Sequence, residues 1–95
     1  GAQIRARVQA NRAALVAALA GSAAQLLDAE GGWSAIVRLP STRSEEDWTL
    51  ALLDDGVLVQ PGFFFDLPPT IVVISLLVAS PTLAAAVPAI LRRCT

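Results

Sequence analysis

The 22 residues Thr70–Leu91 carry no charge, and no other stretch limits the possible folds so strongly. A bilayer-spanning helix needs about 20 consecutive apolar residues, so length alone would admit a membrane segment. The interior of the run argues otherwise. Ile71–Ile74 places four β-branched residues in succession, a pattern that suits a pleated, buried strand better than a helix. Ser80-Pro81 then has the form of a helix start, with serine as N-cap and proline at the first helical position. Pro88 would remove the hydrogen bond to the Ala84 carbonyl and kink whatever helix contains it. The run therefore predicts a buried strand over Ile71–Val78 and a helix over Thr82–Arg93. Arg92 and Arg93 would stand at the negative C-terminal end of that helix.

The rest of the chain is punctuated in the same way. Residues 2–20 read as a helix with Ile4, Val8, Leu15 and Leu19 on one face and Arg5, Asn11 and Arg12 elsewhere; Gly21 stops it. Gln25–Ala29 and Trp33–Leu39 read as strands around a Glu30-Gly31-Gly32 turn. In the second, Trp33, Ala35, Val37 and Leu39 alternate with Ser34, Ile36 and Arg38, and Pro40 ends the ladder. Ser44 is the expected N-cap of the next helix. Glu45, Glu46 and Asp47 fill its first turn, Trp48, Ala51 and Leu52 form its buried stripe, and Gly56 is its stop. Val57–Gln60 is a short strand ended by Pro61-Gly62. Phe63, Phe64 and Phe65 follow in a loop, and at least one of them should face the core or a partner. The order α-β-β-α-β-β-α predicts an α+β fold: a small mixed or antiparallel sheet of three to four strands with helices packed on it.

Composition narrows the chemistry. A chain of 95 residues makes a single domain, 1–95. Net charge is −1, which lacks the basic stripe that nucleic acid calls for. All seven basic residues are Arg, and there is no Lys and no His. The chain therefore offers no Schiff-base lysine and none of the commonest general base or metal ligand. The lone Cys94 cannot form an intrachain disulfide. Arg without Lys, together with abundant Ala, suggests a GC-rich bacterial genome. The polar N-terminal stretch "GAQIRARVQANR" has no apolar signal-peptide core, so a cytoplasmic setting is expected.

Glu45/Glu46 and Asp54/Asp55 read as solvated helix-end charges, and Asp28 and Glu30 as hairpin surface. Ser34 and Ser75 have no base to activate them. Gly31-Gly32 precedes no helix and so makes no phosphate cradle. Arg38 could pair a carboxylate ligand, but a strand arginine snorkelling to the surface is the simpler reading. The residues give no catalytic set and no metal site. They do give a first helix and an aromatic loop disposed to contact something else.

Four segments in order, "IRARVQANRAAL", "GGWSAIVRLP", "EEDWTLALLDDGVLVQPGFFFD" and "IVVISLLVASPTLAAAVPAIL", resemble the C-terminal small domain of fold-type-I pyridoxal-phosphate enzymes. Those are the aspartate-aminotransferase-like class I and II aminotransferases. The most specific part is Gly56–Phe65, which is similar to the family's "GV-x-V-x-PG-x-x-F", together with Gly31–Trp33 upstream. The resemblance covers nearly the whole chain.

It implies a larger parent, homodimeric, whose missing large domain holds pyridoxal 5'-phosphate, with residues 2–20 as the helix leading from that domain. The large domain and an amino acid or 2-oxo acid substrate are then the implied partners, with neither nucleic acid nor membrane. The cofactor lysine belongs to the large domain, which suits a chain without lysine. Gly32, Trp33 and Ser34 would face the substrate pocket. The family's carboxylate-binding Arg, in a pattern like "R-[LI]-S", falls on Val73 of Val73-Ile74-Ser75. That departure leaves Arg38 as the strand arginine at hand for a carboxylate. Two other readings stay open: the aminotransferase-like effector domain of a pyridoxal-phosphate-sensing transcription regulator, and a free-standing α+β interaction module.

Overall fold

The computed structural model describes residues 1–27 and 32–94. Its elements are α1 (Ala2–Leu19), β1 (Gln25–Leu27), β2 (Ser34–Arg38), α2 (Glu45–Asp54), β3 (Gln60–Pro61), β4 (Ile71–Ser75) and α3 (Ser80–Arg93), with a 3₁₀ turn over Gly62–Phe65. The four strands form one antiparallel sheet in the order β1-β2-β4-β3. The fold is α+β, as the element order implied. The Glu30-Gly31 part of the expected turn, Asp28 and the end of the expected first strand lie outside the described residues.

Register divides the sheet into two faces. Ala35 lies opposite Ile74 and Val37 opposite Val72; these four join Leu15, Leu19, Trp48, Leu52, Leu83 and Ile90 in one continuous core. Alternation along β2 was therefore read correctly for Ala35, Val37 and Leu39, all at most 2% exposed. Trp33, just before the strand, is 61% exposed instead. The other face carries Ser34 opposite Ser75, Ile36 opposite Val73 and Arg38 opposite Ile71. No helix among the described residues is long and apolar enough to cross a membrane. The uncharged run is a central strand, buried from Ile71 to Ile74, and a helix that continues through Pro88.

Several expectations need correction. On α1 the buried positions are Val8, Asn11, Leu15 and Leu19, whereas Ile4 is 44% exposed. Asn11 follows Val8 by three and precedes Leu15 by four, so it belongs to the buried stripe despite its polarity. Its Nδ2 donates to the Leu76 and Val78 carbonyls at 3.0 and 2.8 Å, and its Oδ1 accepts from the Ser80 hydroxyl at 3.2 Å. Two facing carbonyls fix which way the amide points. Ser80 is thereby withdrawn from capping: α3 begins at Ser80 itself, and the N-cap falls one residue earlier than expected, on Ala79, with no side-chain cap bond.

The acidic pairs are not merely solvated charges. Glu45 accepts from the backbone N–H groups of Phe63 and Ile71, both at 3.0 Å, and so holds the ends of the Phe loop to α2. Asp55 accepts two hydrogen bonds from Arg93 of α3, from Nε at 2.5 Å and from Nη2 at 2.9 Å. Ser44 caps α2 through the Asp47 N–H, as its position implied.

β3 is shorter and later than expected, Gln60–Pro61. Pro61 is part of the strand, because β3 is an edge and needs no N–H on its open side. Gly62 follows for steric reasons: a Cβ there would lie 2.8 Å from the Ile71 carbonyl oxygen. None of the three phenylalanines enters the core. Phe63, Phe64 and Phe65 are 58%, 64% and 51% exposed.

Candidate functional site

The start of β2 is where the fold gathers its polar groups. Arg12 reaches from α1 and donates to the Gly32 carbonyl at 2.7 Å and, more weakly, to that of Ser34 at 3.5 Å. The ladder extends one step past the strands: the Leu76 N–H donates to the Trp33 carbonyl at 2.8 Å. Leu76 in turn gives its own carbonyl to Asn11. Gly32–Ser34 is thus tied on one side to α1 and on the other to the end of β4. Sequence reasoning placed Asn11 and Arg12 off the buried face and assigned them no role. The 8-11-15-19 spacing of the buried positions was the signal that could have found Asn11.

Two recesses flank this junction. One, about 380 Å³, lies between α1 and Trp33, with Ile4, Val8, Arg5 and Arg12 in its wall. The other, about 290 Å³, opens on the outer face of the sheet. It is lined by Ser34, Val73 and Ser75 from the central strands and by Leu58, Gln60 and Phe65 from the β3 edge. This second recess contains no charged side chain. Val73 forms its floor, 9% exposed, between Ile36 on one side and Gln60 on the other. The Ser75 hydroxyl accepts from the Leu77 N–H at 3.1 Å, which leaves its own proton free to donate.

The structure brings Gly32, Trp33 and Ser34 together and sets Arg38 apart. Arg38 shares the outer face with Ser34 but lies four residues along β2, roughly 13 Å away at strand pitch. Its guanidinium turns to the β1 edge, where it donates to the Gln25 Oε1 at 3.4 Å.

Other reactive groups add little chemistry. Burial pushes the Cys94 thiol up, away from thiolate character. Among the described residues no cluster of His, Cys, Asp or Glu could hold a metal ion. The chain has no lysine with which to hold pyridoxal phosphate covalently.

The chain resembles one segment of two solved aminotransferases in fold. The solved aspartate aminotransferase of Rhizobium meliloti matches 92% of this chain at a TM-score of 0.74 and 25% identity. YbdL of Escherichia coli, identified as having a methionine aminotransferase function, matches 90% at a TM-score of 0.74 and 23% identity. The chain spans only about a quarter of each, 25% and 24%. No protein-family model and no curated protein matches the chain by sequence.

Proposed function

We propose that this chain is the C-terminal small domain of a pyridoxal-phosphate-dependent aminotransferase that moves an amino group between an amino acid and a 2-oxo acid. The observation that carries the reading is the match of nine-tenths or more of the chain to about a quarter of two aminotransferases. In this reading residues 1–95 are one domain and α1 leads from the large domain, which supplies the cofactor and its lysine. Gly32, Trp33 and Ser34 then form one wall of the substrate pocket. Arg38 stands further along the same sheet face, where only an extended substrate reaches it. The exposed Phe63–Phe65 turn and the exposed Leu58 are the apolar surface on which the rest of the parent would close.

A second reading has its own support. An uncharged Val73 recess suits a relative that has given up transamination, such as the aminotransferase-like effector domain of a transcription regulator. The parent protein, with the residues that precede Gly1, separates the two. A pyridoxal-phosphate absorbance that bleaches on adding an amino donor and returns with a 2-oxo acid supports the enzyme. A winged-helix DNA-binding region upstream, with no such cycle, overturns it in favour of the regulator.

A further inference from the structure

The segment Gly32–Ser34, which the proposed reading makes a wall of the substrate pocket, has little side-chain packing to hold it. Gly32 has no side chain, and that of Trp33 is mostly exposed. Three successive carbonyls hold the segment instead. That of Trp33 accepts from the Leu76 N–H at 2.8 Å. Those of Gly32 and Ser34 point to the other edge, as alternate carbonyls of an extended chain do. Both accept from Nη2 of Arg12, at 2.7 and 3.5 Å. Among the described residues the β1 register ends at Leu27, opposite Ile36, and Arg12 serves the same edge of β2 beyond that point.

Arg12 does not act alone. Asn11, its neighbour on α1, holds the Leu76 and Val78 carbonyls. Two consecutive residues of one helix thus grip the start of β2 and the end of β4. The grip on β2 is the one made by a charged donor, which bonds a carbonyl more strongly than a neutral donor does. Arg5 gives the contrast. It lines the same recess beside Trp33, yet among the described residues no hydrogen bond joins its side chain to Gly32–Ser34.

We infer that Arg12 is a positioning residue for the substrate: through the Gly32 and Ser34 carbonyls it fixes the pocket wall to α1, the helix that leads from the large domain. What the wall contacts rests on the aminotransferase reading. The clamp itself belongs to this chain, and the two can be tested apart.

Arg12→Gln, Arg12→Lys and Arg5→Gln are compared. In the ¹⁵N-labelled chain, hydrogen exchange at the Leu76 N–H reports the wall, because the Trp33 carbonyl is its partner. The Leu39 N–H is bonded to the Thr70 carbonyl at the opposite end of the same ladder and reports the sheet as a whole. Arg12→Gln should speed exchange at Leu76 at least roughly tenfold more than at Leu39. Arg12→Lys, which keeps the charge and loses the fork, should fall between, and Arg5→Gln should change neither amide. A substitution that only destabilises the fold speeds both amides alike, and that result for Arg12→Gln overturns the inference. In the parent, Arg12→Gln should raise KM for the amino donor several-fold with the pyridoxal-phosphate absorbance unchanged. Loss of folded enzyme alone would lower kcat and leave KM where it was, so an unchanged KM overturns the positioning role. A parent with no amino-donor cycle at all would sink the aminotransferase reading instead, and the exchange rates would still decide whether Arg12 holds the wall.

Discussion

Asn11 joins α1 to the Leu76–Ser80 segment, far away in sequence, and its removal should be the most damaging single truncation of a polar side chain on α1. The residue is 2% exposed. Its side chain donates to the Leu76 and Val78 carbonyls and accepts from Ser80. At a net value of about 1 kcal/mol per bond, Asn11→Ala forfeits about 3 kcal/mol. The buried Leu76 carbonyl, left without a partner, brings the total nearer to about 4 kcal/mol unless water enters the space. For a domain of this size each 1 kcal/mol lowers Tm by roughly 4–8 °C, so the expected drop is roughly 12–30 °C.

Equilibrium urea unfolding followed by tryptophan emission is the suitable assay, because Trp48 is fully buried and reports the core. Ser80→Ala, which loses one partly buried bond, should cost about 1 kcal/mol or less. A loss below about 1 kcal/mol for Asn11→Ala would refute the claim that this amide pins α1 to the end of β4.

Glu45→Ala should cost about 2–3 kcal/mol in the same assay, because its carboxylate receives two backbone N–H groups and their loss frees both ends of the Phe loop; an unchanged midpoint would contradict this. The Arg93 guanidinium, by its hydrogen bonds and its charge, holds the Asp55 carboxyl below its ordinary value of 3.8. A depressed folded-state pKa gives stability that is complete above the unfolded value and is lost as pH falls through the folded one. Asp55→Asn should therefore flatten the decline in stability below about pH 4 and leave its slope near neutrality unchanged, as read from urea midpoints across pH. Adding pyridoxal phosphate and borohydride to the chain should leave no internal residue modified, by peptide mass mapping, since the sequence has no lysine; a stoichiometric adduct anywhere but the N-terminal amine would be a contrary result.

The sequence disclosed most where one physical cause acted alone. Helix stops at Gly21 and Gly56, both in the left-handed region at φ +77° and +83°, follow from glycine's freedom there. The Ser44 cap and the core alternation of Ala35, Val37 and Leu39 were legible for similarly local reasons. What stayed hidden was long-range polar pairing. Glu45 looks like any first-turn acid until the N–H of Ile71, 26 residues away, is brought to it. Ser80 looks like a cap until Asn11, 69 residues away, claims its hydroxyl. For the site, Gly32–Ser34 could be named from the motif, but Gln60 and Leu58 enter the recess only because β3 adds to the far side of β4. The setting apart of Arg38 likewise depends on the β1 edge, where Gln25 receives it.

The strand order β1-β2-β4-β3 also bears on how the molecule is made. The central ladder joins Arg38 to Ile71 and Ser34 to Ser75, so it cannot begin until α2, β3 and the Phe turn have all been synthesised and looped out between them. Closing so long a loop costs entropy before any strand pair rewards it, and such non-local topology folds slowly. Until then β2 has only β1 to pair with, although α1 and α2 supply Leu15, Leu19, Trp48 and Leu52 for the core face of Ala35 and Val37. During synthesis β2 therefore waits with one edge unpaired for Ile71–Ser75 to clear the ribosome.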